Sequence, residues 1–310
     1  MPRAPGDGPP GSIVECVPNV SEGRDRALLE RFAAAIRATP DVTLADLHAD
    51  PDHHRAVFSF LGAPASVEAA ALALATQVLG ALDMRRHRGV HPRMGALDVV
   101  PFVPLAGMTM AETAELARRV GRAVAARHDI PVYFYGFAAT GEARRSLPAL
   151  RLQGYEGLAE RLGTPDGEPD AGPSRFEPRS GAVLVGARGI LVAFNAWLDS
   201  DDVEAARAIA RALRESSGGL PAVQAMGVSL ASRGIAQVSM NLLDYRRTPI
   251  PLVWDRVGEE AARRGVRVRR AELVGLAPRA AFAGRAPESV GLADFTPERY
   301  LDAYLPRLLP

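Results

Sequence analysis

The sequence contains no lysine, so all 37 of its basic residues are arginine. Without a side-chain primary amine, the protein cannot form a lysine Schiff base or use a phosphate loop that depends on lysine. Any recognition of an anion must therefore come from guanidinium groups, helix N-termini or backbone amides.

Cysteine is almost absent as well. The single Cys16 excludes an internal disulfide framework, which is typical of proteins in a reducing cytoplasm. It lies inside the apolar run IVECVP, which favours a small buried side chain over a reactive thiol. Cys16 is therefore a weak candidate for a nucleophile.

Two further features are missing, a strong net charge and a long apolar run. The formal net charge is +1 and no long basic run occurs, so neither nucleic acid nor a membrane surface is expected as a partner. No apolar stretch is predicted to be long enough to span a bilayer, and MPRAPGDGPPGS lacks the apolar segment of a signal peptide. The composition predicts a cytoplasmic globular protein whose residues 1–11 form a disordered tail.

The rest of the chain alternates between short apolar runs and amphipathic helical patterns. From residue 13 onward it predicts strand, helix, strand, strand, helix and strand, with Ser21 at the entrance of the first helix. The opening pattern of strand, asparagine, polar turn and helix recurs in GILVAFNAWLDSDDVEAARAIARALRE. Before this recurrence, residues 163–181 are dense in proline, glycine and aspartate, which indicates a connection.

This pattern predicts an α+β fold of two ferredoxin-like βαββαβ-type subdomains, each with helices on one face of a mostly antiparallel sheet. We assign residues 12–189 to the N-terminal subdomain and 190–285 to the C-terminal subdomain. Residues 286–310 are predicted to form a C-terminal helical extension. Two such subdomains joined together would leave a cleft between them, which is a favoured place for a small ligand.

The histidines carry the main functional signal. Five of the six lie in two short segments, HADPDHH (His48, His53 and His54) and HRGVH (His87 and His91). Three interpretations are open. The histidines bind zinc or iron, although no known zinc spacing is present; they occupy polar turns on a solvated face; or one of them is a general acid or base among arginines that bind a carboxylate.

His91 is the strongest candidate for a general base. It lies in the stretch RRHRGVHPRMGALDVVPFVP, where Gly89 and Pro92 argue against a regular helix. Positive charges nearby disfavour the imidazolium form, so a histidine among arginines stays neutral and able to accept a proton. The arginines in question are Arg85, Arg86, Arg88 and Arg93.

Several segments in unbroken order, from about Ile13 to Arg285, resemble one known family. VECVPNVSEGRD, RHRGVHPRMGALDVVPF, VYFYG, RRSLPALRLQGYEGL, GARGILVAFN and IAQVSMNLLDY are together similar to glutamate formiminotransferase, the first part of formiminotransferase–cyclodeaminase. Only this transferase part is expected in the chain. The resemblance implies a cytoplasmic homodimer that transfers a formimino group from N-formimino-L-glutamate to N5 of tetrahydrofolate and releases glutamate.

The resemblance also implies which residues form the site. The catalytic base of the family is the histidine of the HPRMG string, which here is His91. Tetrahydrofolate is implied as a substrate rather than as a tightly bound cofactor, and no metal is implied. Two segments match stretches of the family that contact folate. They are Gly172, Pro173, Ser174, Arg175, Phe176, Glu177, Pro178, Arg179, Ser180 and Gly181, and then Gly218, Gly219, Leu220, Pro221, Ala222, Val223, Gln224, Ala225, Met226 and Gly227.

Both implied substrates carry glutamate carboxylates, and the forked donors of arginine suit a carboxylate. We therefore expect Arg93, Arg144 and Arg145 to bind a substrate carboxylate. The chain departs from the family where His48 stands in place of an aspartate, so the proton donor is expected to be His48 or Asp50.

Two further departures concern substrate choice. Phe137 replaces an acidic residue in YGFAA, and Pro221-Ala222 replaces a basic pair in the second folate segment. These differences leave three alternatives to formimino transfer. The first is a folate-binding carrier or sensor without turnover, and the second is a glutamate formyltransferase that acts on 5-formyltetrahydrofolate. The third is a metal-dependent hydrolase that uses the histidines of HADPDHH.

Overall fold

The computed structural model of the protein describes residues 11–308, which fall into two compact units. Unit 1 comprises the chain up to Arg188 together with Leu308, and unit 2 is Gly189–Arg307. Except for Gly11, the predicted disordered tail lies outside the described residues. The predicted subdomain limits at residues 189 and 285 stay predictions.

The elements of unit 1 alternate between strands and helices from its first described residues. In chain order they are β1 (Ile13–Cys16), β2 (Asn19–Val20), α1 (Arg26–Arg37), β3 (Val42–Asp50), β4 (Arg55–Gly62), α2 (Pro64–Ala81), β5 (Leu97–Ala106), α3 (Met110–His128), β6 (Val132–Gly136), α4 (Leu147–Leu150), α5 (Leu158–Leu162) and β7 (Val183–Ala187).

The sheet of unit 1 has seven strands. Strand β4 pairs with β3 on one side and with β1 and β2 on the other, and β1 and β2 also pair with β5, all antiparallel. Strand β7 then pairs in parallel with β5, and β6 in parallel with β7. Neighbouring residues on a strand point to opposite faces, so each strand contributes side chains to both sides of this sheet.

One face of the sheet packs against helices. On β4 the side chains of Ala56, Phe58 and Phe60 are fully buried in the main core of unit 1, together with apolar residues of α1, α2 and α3. The intervening residues Arg55, Val57 and Ser59 therefore point to the opposite face. The residues of β3 opposite them in the register, Asp50, His48 and Asp46, share that face.

Helix α2 accounts for the longest apolar segment. By length and composition alone, Pro64–Ala81 is able to cross a membrane, so the prediction that no segment is long enough was wrong. Its buried side chains, among them Val67, Leu74 and Val78, pack in the main core of unit 1, and the helix contacts α1 and α3. Packing inside a protein core thus explains its apolar composition.

Unit 2 repeats the order strand, helix, strand, strand, helix and strand. Its four-stranded antiparallel sheet has the order β11, β8, β10 and β9, and its core lies between this sheet and helices α6 and α7. The elements are β8 (Val192–Leu198), α6 (Val203–Leu213), β9 (Val223–Leu230), β10 (Ile235–Leu242), α7 (Ile250–Ala262), β11 (Val268–Val274) and α8 (Leu305–Leu308). Between β11 and α8 the chain forms the short 3-10 helices Arg279–Phe282, Pro287–Val290, Pro297–Arg299 and Leu301–Ala303.

The two units share a strand order. In unit 1, β5, the pair β1 and β2, β4 and β3 follow one another as β11, β8, β10 and β9 do in unit 2. The predicted α+β class of two subdomains is confirmed, while the ferredoxin-like label of each stays a prediction. Unit 1 differs by adding β7 and β6 in parallel pairing, so its sheet is not purely antiparallel.

Two local predictions were wrong. Helix α1 begins after Asp25, whose carboxylate accepts a hydrogen bond from the Leu28 amide at 2.9 Å, whereas the Ser21 hydroxyl donates to the Gly95 carbonyl at 2.8 Å. Strand β7 was missed because VLVGA contains no alternating polar residue. Such an apolar run is typical of a strand buried on both faces of a parallel pairing.

The packing of α2 can be tested with two substitutions in the same helix. Replacing fully buried Leu74 with alanine should lower the free energy of unfolding by roughly 2–5 kcal/mol, because it removes apolar contacts and leaves a cavity. Exposed Gly80 has open space where the methyl group of an alanine would lie, so Gly80→Ala should raise that free energy by up to about 1 kcal/mol. Urea unfolding curves measure both, and an unchanged curve for Leu74→Ala would contradict the burial of α2.

Candidate functional site

The structure brings the two histidine segments together in unit 1. The turn of residues 51–54 joins β3 to β4, and the loop of residues 83–96 leads into β5. The Val90 amide donates to the Asp52 carbonyl at 3.1 Å, and the ring Nδ1–H of His54 donates to the Arg88 carbonyl at 2.9 Å. Arg24 reaches both segments, since its guanidinium donates to the carbonyls of Pro51 and Arg88 at 3.0 Å each.

Gly89 allows this close approach. A Cβ atom at this position would lie 2.3 Å from the His53 carbonyl oxygen, so any larger residue would push the loop away from the turn. The turn itself is fixed by Asp50, whose carboxylate accepts hydrogen bonds from the amides of Asp52 at 2.9 Å and His53 at 2.7 Å. His54 closes the turn with φ of 49°, a left-handed conformation that is uncommon for a residue with a side chain.

His87 supports the loop. Its ring stacks on that of His54 with centroids 4.2 Å apart, and its Nε2–H donates to the His54 carbonyl at 2.8 Å. Nδ1 accepts a hydrogen bond from Arg93 Nε at 3.1 Å, so both ring nitrogens of neutral His87 are used. Burial lowers the pKa of His87 to about 4, and the charges of His54 and Arg93 act in the same direction.

Glu22 completes this side of the turn. Its Oε1 lies 3.3 Å from His54 Nε2 and accepts hydrogen bonds from the amides of Gly23, Arg24 and Asp25. Burial alone would raise the pKa of Glu22, but hydrogen bonds from His54 and from the backbone outweigh it and lower the pKa to about 2. The carboxylate of Glu22 is therefore ionised at neutral pH.

His91 lies on the other side of the turn and is half-buried, with its Nδ1 atom buried. Its Nε2 is 2.6 Å from Nη1 of Arg55, and its ring centroid is 5.8 Å from that of His53. Burial, followed by the charges of Arg55 and Arg151 and by His53, lowers the pKa of His91 well below its ordinary value, while the Pro92 backbone acts in the opposite direction. His91 is therefore neutral at physiological pH.

The predicted source of this neutrality was wrong, because the arginines that act on His91 are distant in sequence. Of its sequence neighbours, Arg85 pairs with Asp83 and Arg93 with Glu156, and Arg88 donates to the His87 carbonyl at 2.7 Å. Arg55 and Arg151 come instead from the start of β4 and from the end of α4. No sequence motif marked them, since their proximity to His91 arises only from folding.

A second group of buried polar residues lies on strands β1, β5 and β6 and beyond β7. The guanidinium of Arg151 contacts the carboxyl of Asp98. Burial raises the pKa of Asp98, and the charge of Arg151 only partly offsets this increase. Burial raises the pKa of Glu15 to about 7 and that of Tyr135 to about 12, and in both cases the charge of Arg188 opposes the shift. The sequence did not single out Glu15, Arg151 or Arg188, because their proximity to one another arises only from folding.

Cys16 is fully buried, and burial raises the pKa of its thiol well above the ordinary value. The predicted burial of Cys16 is confirmed. Within residues 11–308, no group of three or more histidine, cysteine, aspartate or glutamate side chains is arranged so that it could hold a metal ion.

The candidate proton donors lie beside Arg55. His48 is opposite Val57 in the pairing of β3 with β4, and Asp50 is opposite Arg55, so both project from the sheet face that carries Arg55. One carboxylate oxygen of Asp50 is already bonded to the turn amides. Their role as donors stays a prediction.

The three arginines predicted to bind a substrate carboxylate each contact a carboxylate of the chain itself. Arg93 forms two hydrogen bonds with Glu156, at 2.9 and 2.7 Å. Arg144 lies 2.8 Å from buried Asp170, and Arg145 lies 3.0 Å from exposed Glu142. Their predicted role with a substrate stays a prediction.

The first predicted folate segment, Gly172–Gly181, borders the loop that carries His91. The Met84 amide donates to the Arg179 carbonyl at 2.9 Å, and Gly95 and Gly181 form an isolated antiparallel bridge. Phe176 packs on Tyr155 with ring centroids 5.4 Å apart. The segment that looked like a connection is thus attached to the candidate site at several points.

The second predicted folate segment, Gly218–Gly227, belongs to unit 2 and runs into β9. Its turn is held by Thr248, whose hydroxyl donates to the Pro221 carbonyl at 2.6 Å, and by Glu215, which accepts the Ala222 amide at 3.0 Å. Ala222 has φ of 57°, a strained backbone conformation for a residue other than glycine. Contact of either segment with folate stays a prediction.

Comparison with known proteins adds the family. A model of the formiminotransferase domain, N-terminal subdomain, matches residues 13–188, and a model of the formiminotransferase domain matches residues 193–287. The chain is 39% identical to a glutamate formimidoyltransferase of Streptococcus pyogenes serotype M1, over 91% of this chain and 95% of the relative. It is 41% identical to the glutamate formimidoyltransferase of Thermoplasma acidophilum, over 87% and 90% of the two chains.

The longer relatives match over part of their length. Identity to the formimidoyltransferase-cyclodeaminase of Rattus norvegicus is 42%, over 86% of this chain and 50% of that protein. The resemblance seen in the sequence is confirmed over both units. The chain belongs to the formiminotransferase family.

Proposed function

We propose that the protein is a glutamate formimidoyltransferase, an enzyme that moves the formimino group of N-formimino-L-glutamate to N5 of tetrahydrofolate. The observation that carries this proposal is the match to relatives of that name over nearly the whole length of both chains. Tetrahydrofolate is then a substrate that enters and leaves, and no resident cofactor is required. We further propose that the enzyme is a cytoplasmic homodimer, with neither a nucleic acid nor a membrane as partner.

The reaction needs one bond formed, one broken and one proton moved. N5 attacks the formimino carbon and a tetrahedral adduct forms; the bond from that carbon to the glutamate nitrogen then breaks. The proton lost by N5 must be accepted, and the departing nitrogen must receive one. A neutral imidazole can do both in turn, and the low pKa of His91 keeps its imidazole neutral.

Orientation of the two substrates supplies much of the rate, because no covalent intermediate with the protein is needed. In this proposal, arginines bind the glutamate carboxylates, and Arg93, Arg144 and Arg145 remain the sequence-based candidates. Arg55 and Arg151 are stronger candidates, since both act on His91 itself. His48 and Asp50 are the proposed alternatives to His91 as the group that gives the proton to the departing nitrogen. The two glycine-bearing segments that begin at Gly172 and Gly218 are the proposed folate contacts.

Removing the imidazole of His91 tests its role as the base. His91→Ala should lower kcat/KM by about 10²–10⁴-fold, the usual contribution of general acid–base catalysis. Glutamate release from formiminoglutamate and tetrahydrofolate measures the rate. His128→Ala removes a histidine at the end of α3, outside the site, and should leave the rate unchanged.

The outcomes separate the alternatives. Full turnover in His91→Ala would exclude His91 as the base. Wild-type protein that binds tetrahydrofolate tightly without turnover would be a carrier, and transfer from 5-formyltetrahydrofolate to glutamate alone would make it a formyltransferase. Loss of wild-type activity with a chelator would support the metal-dependent hydrolase.

The low pKa of His91 predicts an unusual pH dependence. A general base works in its neutral form, which is lost when the pH falls below its pKa, so a lowered pKa keeps the base active at more acidic pH. Because kcat/KM reports on the free enzyme, it should stay level through about pH 6.5, the ordinary histidine pKa, and fall only below it. A profile that halves near pH 6.5 in the wild type, but not in His91→Ala, would contradict the shift.

A further inference from the structure

The contact between Arg55 and His91 has a chemical consequence for the base. Nη1 of Arg55 lies 2.6 Å from His91 Nε2 and 3.0 Å from the side-chain oxygen of Asn19. A guanidinium only donates hydrogen bonds, so the Nε2 lone pair of His91 is the acceptor. Neutral His91 must then carry its proton on Nδ1, which is buried.

This arrangement leaves His91 unable to act as a base at Nε2. The lone pair that would take a proton from N5 already accepts a hydrogen bond from a cation. Groups that face His91 add to the effect, since Arg151 and His53 both disfavour the imidazolium and only the Pro92 backbone opposes them. Before proton transfer at Nε2, Arg55 must therefore move or bond to something else.

A carboxylate is the ligand best suited to draw Arg55 away. Hydrogen bonds between a guanidinium and a carboxylate are roughly twice as strong as those to a neutral acceptor such as imidazole. Arg55 is the first residue of β4 and only partly buried, so its long side chain has access to a ligand. Arg151, the other guanidinium that acts on His91, contacts the carboxyl of Asp98.

We propose that Arg55 binds a carboxylate of the glutamate-bearing substrate, and that this contact releases Nε2 of His91 to accept the proton. The proposal rests on the proposed function and adds a positioning residue to it. Asn19 orients Arg55 in the resting state, with its own amide fixed by the Val17 carbonyl at 3.1 Å. His91 is thus a weak base in the free enzyme. When the substrate carboxylate neutralises the charge of Arg55, the proton affinity of His91 increases.

Imidazole NMR of protein with ¹⁵N-labelled histidine tests the release directly. Without ligand, His91 should be the Nδ1–H tautomer. Saturating L-glutamate, the product, should raise the His91 titration midpoint by about one pH unit, a tenfold gain in proton affinity, whereas glutamate dimethyl ester should not. In Arg55→Met the midpoint should be raised without ligand and should not respond to glutamate.

Steady-state kinetics gives a second readout that a merely structural role would not produce. Arg55→Met should raise KM for formiminoglutamate about tenfold or more, because it removes a charge-assisted hydrogen bond. KM for tetrahydrofolate should be unchanged, and kcat should stay within about tenfold of the wild-type value. In the wild type, the acid limb of kcat, which reports on the substrate complex, should lie at higher pH than that of kcat/KM. Arg119→Met, which removes an arginine paired with Glu68 on the helical face, is the matched control and should match the wild type.

Defined results would overturn the proposal. In the NMR titration, the proposal fails if the His91 midpoint in Arg55→Met equals that of the wild type, or if glutamate still raises the midpoint in that variant. It also fails if glutamate does not raise the midpoint in the wild type. In the kinetics, a loss of kcat in Arg55→Met with KM for formiminoglutamate unchanged would overturn it. If Arg55→Met does not fold, Arg55→Lys replaces it. Lysine keeps the positive charge but lacks the paired N–H donors of a guanidinium. Arg55→Lys should therefore keep the low titration midpoint of His91 and still raise KM for formiminoglutamate. Wild-type protein without formimino transfer would refute the proposed function, while the NMR response to glutamate would still decide the role of Arg55.

Discussion

The contact of one half-buried imidazole with a guanidinium is the constraint on which the candidate site depends. His91 stays neutral because burial and the charges of Arg55 and Arg151 all lower its pKa. That position requires the loop before β5 to pack closely on the turn between β3 and β4, which in turn requires glycine at position 89. Hydrogen bonds from His54, His87 and Arg24 fasten the two segments together, and Glu22 fixes His54.

The histidines on the two sides of this turn differ in their contacts. On one side His54 and His87 stack and have their ring nitrogens engaged with carbonyls, a guanidinium and a carboxylate, which makes them parts of the scaffold. On the other side His53 and His91 lie near Arg55 without stacking. The clustering of histidines in the sequence therefore corresponds to two pairs with different surroundings, one stacked and hydrogen-bonded within the scaffold and one beside Arg55.

Much of the fold could be predicted because it follows from local patterns. Asn19 and Asn195 stand on corresponding strands, and helices α1 and α6 follow them as the recurring pattern predicts, although α1 begins after Asp25 and not at Ser21. The strand β7 could not be recognised, because a short apolar run without alternation fits a strand or a helix equally well. The parallel pairing of β5, β7 and β6 depends on contacts between distant segments, which local periodicity does not contain.

The sequence singled out His91, whose role stays a prediction, but it did not single out the arginines that act on His91. His91 was identified from its loop and from the family resemblance, but its sequence neighbours proved to serve other partners, as with Arg85 on Asp83 and Arg93 on Glu156. Charges adjacent in sequence do not have to point to the same place, since each side chain pairs with the nearest complementary group in three dimensions. Arg55 and Arg151 reach His91 from separate elements, so only the folded structure identifies them.

The central claim is that His91 is a neutral base held by Arg55, and the state of its ring in the free enzyme tests this most directly. A ¹⁵N NMR spectrum of the histidine side chains, recorded without ligand near the ordinary histidine pKa of about 6.5, distinguishes protonated, Nδ1–H and Nε2–H rings. We predict that His91 is almost entirely neutral, with its proton on Nδ1. A ring that is half protonated at that pH, or that carries its proton on Nε2, would contradict the claim.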